Sequence, residues 1–421
     1  MNFIEGQWQI QGQVLTDLAA QYGTPLYVYD ADKIVSQYQT LYNAFAPLKV
    51  KLKYATKALN NLAIIKLLHA QGAGLDAVSI QEAELGLLAG VPADQILFTP
   101  NCVAFTEIEQ AVSMGLVVNI DSIAFLEQFG QRFGNSVPCC IRLNPHIVAG
   151  GNAKIQTGHI DSKFGISILQ MRHILKVVQN YDLQITGLHV HTGSDFLNSD
   201  VFLQGAELIF EAASNFRNLQ FLDFGSGFKV AYKDGDIVTD VEELGQKMVQ
   251  VFQAFCRDYG RELEIWFEPG KFLVSESGVL LAKTNVVKTT PSTIFVGIDT
   301  GLNHLIRPMM YDAYHTIVNL SNPEAVQRIY SIVGYICETD TFGSDRKLNE
   351  VREGDIIGIL NAGAYGFSMS SNYNSRLKPA EILIYQGQPH LIRRREVLAD
   401  LLATQLDFEP IDKTKLEVME A

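Results

Sequence analysis

From Leu26 onward, short apolar runs alternate with segments in which apolar residues recur at i, i+3 and i+4. The runs read KLKYATK, GLDAVS, QILFTPN, LVVNID, PCCIRLNP, ITGLHVHTG, FLDFGSG and EIWFEPG, and the segments between them include NLAIIKLLHAQG, IQEAELGLLAG and VEELGQKMVQVFQAFCRDYG. A strand buried on both faces shows as a continuous apolar run and an amphipathic helix as the 3.6-residue period, with a glycine marking where the helix stops. Eight strand–helix units in about 250 residues match a closed, TIM-like (β/α)8 barrel better than an open doubly wound sheet. The barrel is expected over residues 26–275.

After Gly270 the pattern changes to GVLLAKTNVVKTT, STIFVGID, HTIVNL, IYSIVGYICET, DIIGILNAG and AEILIYQGQPHLIRR, with few long helical periods between them. A second, mostly antiparallel β domain is expected over residues 276–421, and the strand-like start, residues 1–25, is expected to join it. The chain's 421 residues, 47% hydrophobic and 19% charged, suffice for two such domains with a sizeable core. A net charge of −13 argues against nucleic acid or an anionic membrane as the main partner, since both require a basic face, and leaves a small molecule as the default. The five scattered cysteines form no CxxC pair, and the start MNFIEGQWQIQG lacks a basic segment followed by an apolar one. Both features lead to the expectation of a cytoplasmic protein with reduced thiols.

In a parallel barrel, catalytic side chains project from the C-terminal ends of the strands. Those ends carry Lys57, Asp76, Asn101, Asp121, Arg142 with Asn144, His191 with Ser194, Gly225 to Gly227, and Glu268. Singly, each has a bland explanation: Asp121 suits the N-cap of the next helix, and GSG suits a turn. A polar residue at nearly every strand end is harder to assign to scaffold alone. A strand-end lysine partly withdrawn from water has its pKa lowered and can attack a carbonyl to form a Schiff base. Glycines let backbone N–H groups approach a phosphate. An imidazole stacks on an aromatic ring, and a carboxylate facing a pyridine nitrogen keeps that ring an electron sink. Together these demands describe pyridoxal phosphate. Of nine histidines only His189 and His191 lie close in sequence, and they are expected on opposite faces of a strand, which disfavours a metal-dependent barrel hydrolase.

At the same residues the chain resembles the fold type III pyridoxal-phosphate decarboxylases, from YVYD near Tyr27 to AEILI near Ile384. The resemblance implies an alanine racemase-like barrel with a β domain, and it assigns roles. YATKALNN makes Lys57 the cofactor-bearing lysine, with Asp76 among the cofactor's contacts. HVHTGSD places His191 on the cofactor ring and Ser194 near its phosphate, and DFGSGF makes Gly225, Ser226 and Gly227 the phosphate cradle. EPGK pairs Glu268 with the ring nitrogen and brings Pro269, Gly270 and Lys271 toward the phosphate. NHLIRPMMYDAYH and NAGAYGFSMSSNYNSRLKPAE match the diaminopimelate-cleaving branch, giving Arg307, Tyr311 and Lys271 to the substrate and Tyr365 to both phosphate and substrate.

CET implies an obligate homodimer in which Cys337 protonates the substrate carbon and Glu338 holds the distal ammonium in the partner's site. The implied reaction converts meso-2,6-diaminopimelate to L-lysine and CO2, the last step of lysine biosynthesis. Where the family has arginine this chain has Lys271, Ser226 replaces a loop glycine, and CETDT stands for CESGD. These departures keep a basic amino acid such as D-ornithine, D-lysine or L-ornithine as the alternative substrate. A racemase and a cofactor-free regulatory homologue are further alternatives, the latter opposed by the intact set Lys57, His191, Glu268 and Tyr365.

Overall fold

Eight parallel strands close into a ring in the computed structural model, which describes residues 1–147, 161–191, 193, 196 and 199–408. In order around the barrel they are Lys49–Ala55, Gly74–Ala77, Ile96–Phe98, Val117–Ile120, Cys139–Asn144, Ile185–Val190, Phe221–Asp223 and Glu264–Phe267. The last pairs with the first, Glu264 opposite Lys49 and Phe267 opposite Leu52, which completes the closure. Seven of the eight strands lie within the apolar runs, and the first begins two residues ahead of KLKYATK.

Helices form between the strands because their starts are capped and their apolar stripes are buried. Asn61, Ser79, Ser122 and Asp240 each accept a backbone N–H at the start of Leu62–Ala70, Ile80–Leu88, Ile123–Phe133 and Val241–Tyr259. The cap before Ile123 is thus Ser122, and Asp121, expected in that role, turns to Asn101 Nδ2 at 2.6 Å. Side chains on alternate strand positions face these helices, where Phe45 and Phe267 meet at 4.4 Å between ring centroids. The other positions point into the barrel. At its N-terminal end Phe221 and Trp266 stack with centroids 3.5 Å apart, and Lys53 Nζ lies 4.2 Å from the Trp266 ring.

The second domain is a nine-stranded sheet of antiparallel and parallel pairs. Its strand Leu26–Asp30 pairs antiparallel with Gly278–Thr289 and parallel with Ala380–Tyr385. The boundary expected at residue 26 therefore falls after Asp30, and the barrel's chain opens with helix Ala31–Ala44. LYVYD is apolar enough for either sheet, so periodicity alone could not assign it. The strands Asn2–Ile4, Gln7–Ile10 and Gln13–Val14 form their own small sheet. They are followed by helix Leu15–Tyr22, and Ile10, Leu15 and Leu18 pack on Val28, Val279 and Ile382 of the large sheet. No described helix is long and apolar enough to cross a membrane.

One buried carboxylate ties the two domains together. Glu381, fully buried on strand Ala380–Tyr385, accepts from Tyr29 Oη at 2.8 Å, from Asn61 Nδ2 at 3.0 Å and from Arg393 Nε. Asn61 also caps the helix that follows Lys57, so the β domain is bonded to the segment bearing the strand-end lysine. Glu381→Ala strands three donors, one of them a guanidinium, and is expected to cost about 3–5 kcal/mol. Urea unfolding measures this; a loss under about 1 kcal/mol would show that water replaces the carboxylate.

Candidate active site

Lys57 follows strand Lys49–Ala55 in a single helical turn, Thr56–Ala58. The turn is held from two sides. Ala55 N–H donates to Pro269 O at 3.2 Å, and Ala58 O accepts from Tyr365 N–H at 2.8 Å and from Ser368 Oγ at 3.1 Å. Gly270 sits directly against the Ala55 and Ala58 methyls. The EPG segment and the β-domain loop carrying Tyr365 thus meet at the lysine.

Lys57 Nζ lies 2.9 Å from Asp76 Oδ2, and Asp76 Oδ1 accepts from the Thr99 hydroxyl. Burial works to lower the pKa of the Lys57 amine, but Asp76, then Tyr365 and Glu268, outweigh it and the net shift is upward. This corrects the expectation of a lysine whose pKa is lowered by withdrawal from water, because its surroundings carry carboxylates. Burial, and then Glu268, push Asp76 up as well, against the pull of Lys57.

Inside the barrel, Glu268 follows strand Glu264–Phe267 and donates its N–H to Gly225 O at 2.7 Å. Its Oε2 lies 3.2 Å from His189 Nε2, while Oε1 is buried with no hydrogen-bond partner. His189 Nδ1 in turn lies 2.9 Å from Asn119 Nδ2. Burial opposes ionisation of Glu268, yet His189 and then Lys57 prevail and hold its pKa at about 2. Asp223 accepts from Gly225 N–H at 2.8 Å, and burial, then the neighbouring Glu268, raise its pKa well above the usual carboxylate range.

His191 lies just beyond strand Ile185–Val190 and accepts from Ser226 N–H at 3.2 Å. Burial, followed by the Arg142 cation, lowers its pKa to about 3, so the imidazole is neutral at physiological pH. Gly225 and Gly227 both have positive φ, +62° and +130°, and a Cβ would collide with the His191 ring at Gly225 and with Gly193 O at Gly227. The first two N–H groups of this loop serve Asp223 and His191, which leaves a phosphate to be met from Gly227 onward. Ser194, expected there, lies outside the described residues.

Arg307 and Tyr311 begin and end one short helix, and the Arg307 guanidinium lies 5.2 Å from the Tyr232 ring with Nε buried and unmatched. The Arg307 charge is felt at Tyr365, which places both at the same mouth. Lys271 starts the helix Lys271–Val274 and is half-buried. Cys337 and Glu338 stand elsewhere, exposed on a β-domain loop. Cys337 Sγ lies 3.2 Å from Asn374 Nδ2, and Glu338 Oε1 accepts from Tyr373 Oη at 2.8 Å. Within one chain they bond to this pair and to no member of the Lys57 group among the described contacts.

His189, Asn119 and Asp223 were not singled out from the sequence as site residues, although the signal was there. His189 and His191 are two apart, and a period of two puts them on the same face, here the barrel interior; their expected separation was wrong. Asn119 and Asp223 occupy interior positions by the same rule.

What the unmatched oxygen of Glu268 lacks, a protonated ring nitrogen supplies. With an amine at the mouth and a glycine cradle beside it, these residues fit pyridoxal phosphate, and they define a barrel enzyme built around that cofactor. The model for the pyridoxal binding domain of pyridoxal-dependent decarboxylases matches residues 31–275, and the chain belongs to this family. It is 35% identical to a diaminopimelate decarboxylase of Methanothermobacter thermautotrophicus, over 95% of this chain and 96% of the relative. It is 34% identical to that of Bacillus subtilis, over 96% of both. The crystal structure of diaminopimelate decarboxylase from Methanocaldococcus jannaschii in complex with L-lysine superposes with a TM-score of 0.88 at 31% identity, covering 96% of this chain and 97% of that one.

Asp76→Asn removes the largest charge holding up the Lys57 pKa and leaves burial less opposed. The free amine is then expected at lower pH than in the parent protein. Amine acetylation followed by mass spectrometry across pH reads the midpoint; an unmoved midpoint would remove Asp76 from this role.

Proposed function

We propose that this chain decarboxylates meso-2,6-diaminopimelate to L-lysine and CO2, and that it works as a cytoplasmic homodimer with shared active sites. The observation that carries the substrate is Arg307, whose buried, unmatched Nε adjoins Tyr232 and acts on Tyr365 at the barrel mouth. A fixed planar guanidinium grips a second, distal carboxylate, which diaminopimelate has and a plain diamino acid lacks. Its relatives' names point the same way.

Pyridoxal phosphate supplies the electron sink that takes up the charge left behind when CO2 departs. Lys57 would bear the cofactor, Glu268 would meet the ring nitrogen, neutral His191 would lie against the ring, and the glycine loop from Gly227 onward would hold the phosphate with Tyr365. Arg307, Tyr311 and Lys271 hold the substrate's far end. Binding energy spent there aligns the scissile bond at the α carbon.

Cys337 and Glu338 enter from a second copy. Their exposure on one chain supports this, as do Met309 and Met310, uncovered on the helix that carries Arg307. Cys337 then delivers a proton to the α carbon, and Glu338 accepts the distal ammonium.

Release of CO2 from meso-2,6-diaminopimelate, L-ornithine, D-ornithine and D-lysine tests the substrate. The kcat/KM for diaminopimelate is expected to exceed the others by more than about a hundredfold, and a larger value for any plain diamino acid overturns the assignment. For the shared site, Lys57→Ala and Cys337→Ala proteins, each inactive alone, are expected to regain part of the activity when mixed. No recovery under conditions of subunit exchange would mean that each chain completes its own site.

A further inference from the structure

We propose that His189 is a positioning residue for Glu268: held by Asn119 on one side, it keeps Glu268 ionised and leaves one carboxylate oxygen directed at the cofactor's ring nitrogen. The inference rests on the pyridoxal phosphate reading given above.

Four strands contribute to the network. Asn119 lies on Val117–Ile120, His189 on Ile185–Val190, Asp223 on Phe221–Asp223, and Glu268 just after Glu264–Phe267. All four are buried, and one ligating atom each from His189, Asp223 and Glu268 falls within 4.8 Å of the others. The Asn119 amide donates to Nδ1 at 2.9 Å, so Nε2 carries the proton that His189 donates to Glu268 Oε2 at 3.2 Å. That contact takes one oxygen of Glu268, and Oε1 remains without a partner.

Two carboxyl groups this close and this buried favour protonation. Asp223 yields to that pressure and Glu268 does not. After burial, the largest influence on Glu268 is His189, and it acts to keep the carboxylate charged. An ionised Glu268 holds a proton on the ring nitrogen by charge; a neutral Glu268 would not. His189 thus sets the ring's protonation without touching the cofactor. Asn119 fixes the tautomer that makes this possible.

His189→Asn keeps a polar group facing Asn119 and removes the donor to Glu268, whereas His189→Gln retains a donor near the Nε2 position. In holoenzyme reconstituted with pyridoxal phosphate labelled with 15N in the ring, the parent protein and the glutamine variant are expected to show a protonated ring nitrogen. The asparagine variant is expected to show an unprotonated one, with kcat down roughly ten- to hundredfold and KM for the amino acid little changed. A protonated ring in the asparagine variant overturns the proposal and leaves His189 as packing only. The cofactor-free proteins give a second reading. Infrared spectra with 13C-labelled glutamate should show a new carboxylic acid band in the asparagine variant, and no new band likewise overturns the proposal. A parent protein that binds no pyridoxal phosphate would instead defeat the cofactor reading, and the infrared experiment would still report on His189.

Discussion

Three carboxyl groups, Asp76, Asp223 and Glu268, are enclosed in one barrel, each less than a tenth exposed, and the cost of burying them constrains the other residues of the site. Each is settled differently. Asp76 takes the Lys57 ammonium and the Thr99 hydroxyl. Asp223 is pushed toward protonation by burial and by Glu268, and accepts one backbone N–H. Glu268 alone stays charged with an oxygen to spare, and His189 and Lys57 keep it so. Arg142, buried across the same interior, adds a fixed positive charge that also helps to keep His191 neutral. An interior with this balance holds a cationic heteroaromatic ring better than a purely apolar one would.

The β domain takes part in the same arrangement. Tyr365 reaches the lysine turn through its own backbone, with φ at +55°, and the loop is pinned again by Ser368. Glu381 bonds to Asn61 a few residues further along. The Lys57 turn is therefore set from the barrel side by Pro269 and Gly270 and from the other side by the second domain. Neither domain alone defines the position of Lys57.

The eight strands, the barrel order and most of the polar ring were legible because strand-end position and a continuous apolar run are local properties of the chain. Leu26–Asp30 was misassigned because an apolar strand carries no mark of the sheet it will join. The charge state of Lys57 could not be read either: the effect of Asp76 depends on the pairing of two strands, Ala55 opposite Asp76, that sequence spacing does not reveal. Lys271 and Cys337 are placed by resemblance alone, because neither the apolar period nor strand-end position gives them a role. The spacing of two in HVHTGSD puts His189 on the same face as His191, but its partners Asn119 and Glu268 come from other strands.

The stacked rings of Phe221 and Trp266, with Lys53 against them, seal the end of the barrel remote from Lys57. With that end filled, the polar group around Lys57 faces the opposite rim, where the β-domain loop carrying Tyr365 meets the lysine turn. A change in that loop therefore acts on the site from outside the barrel, without altering any strand.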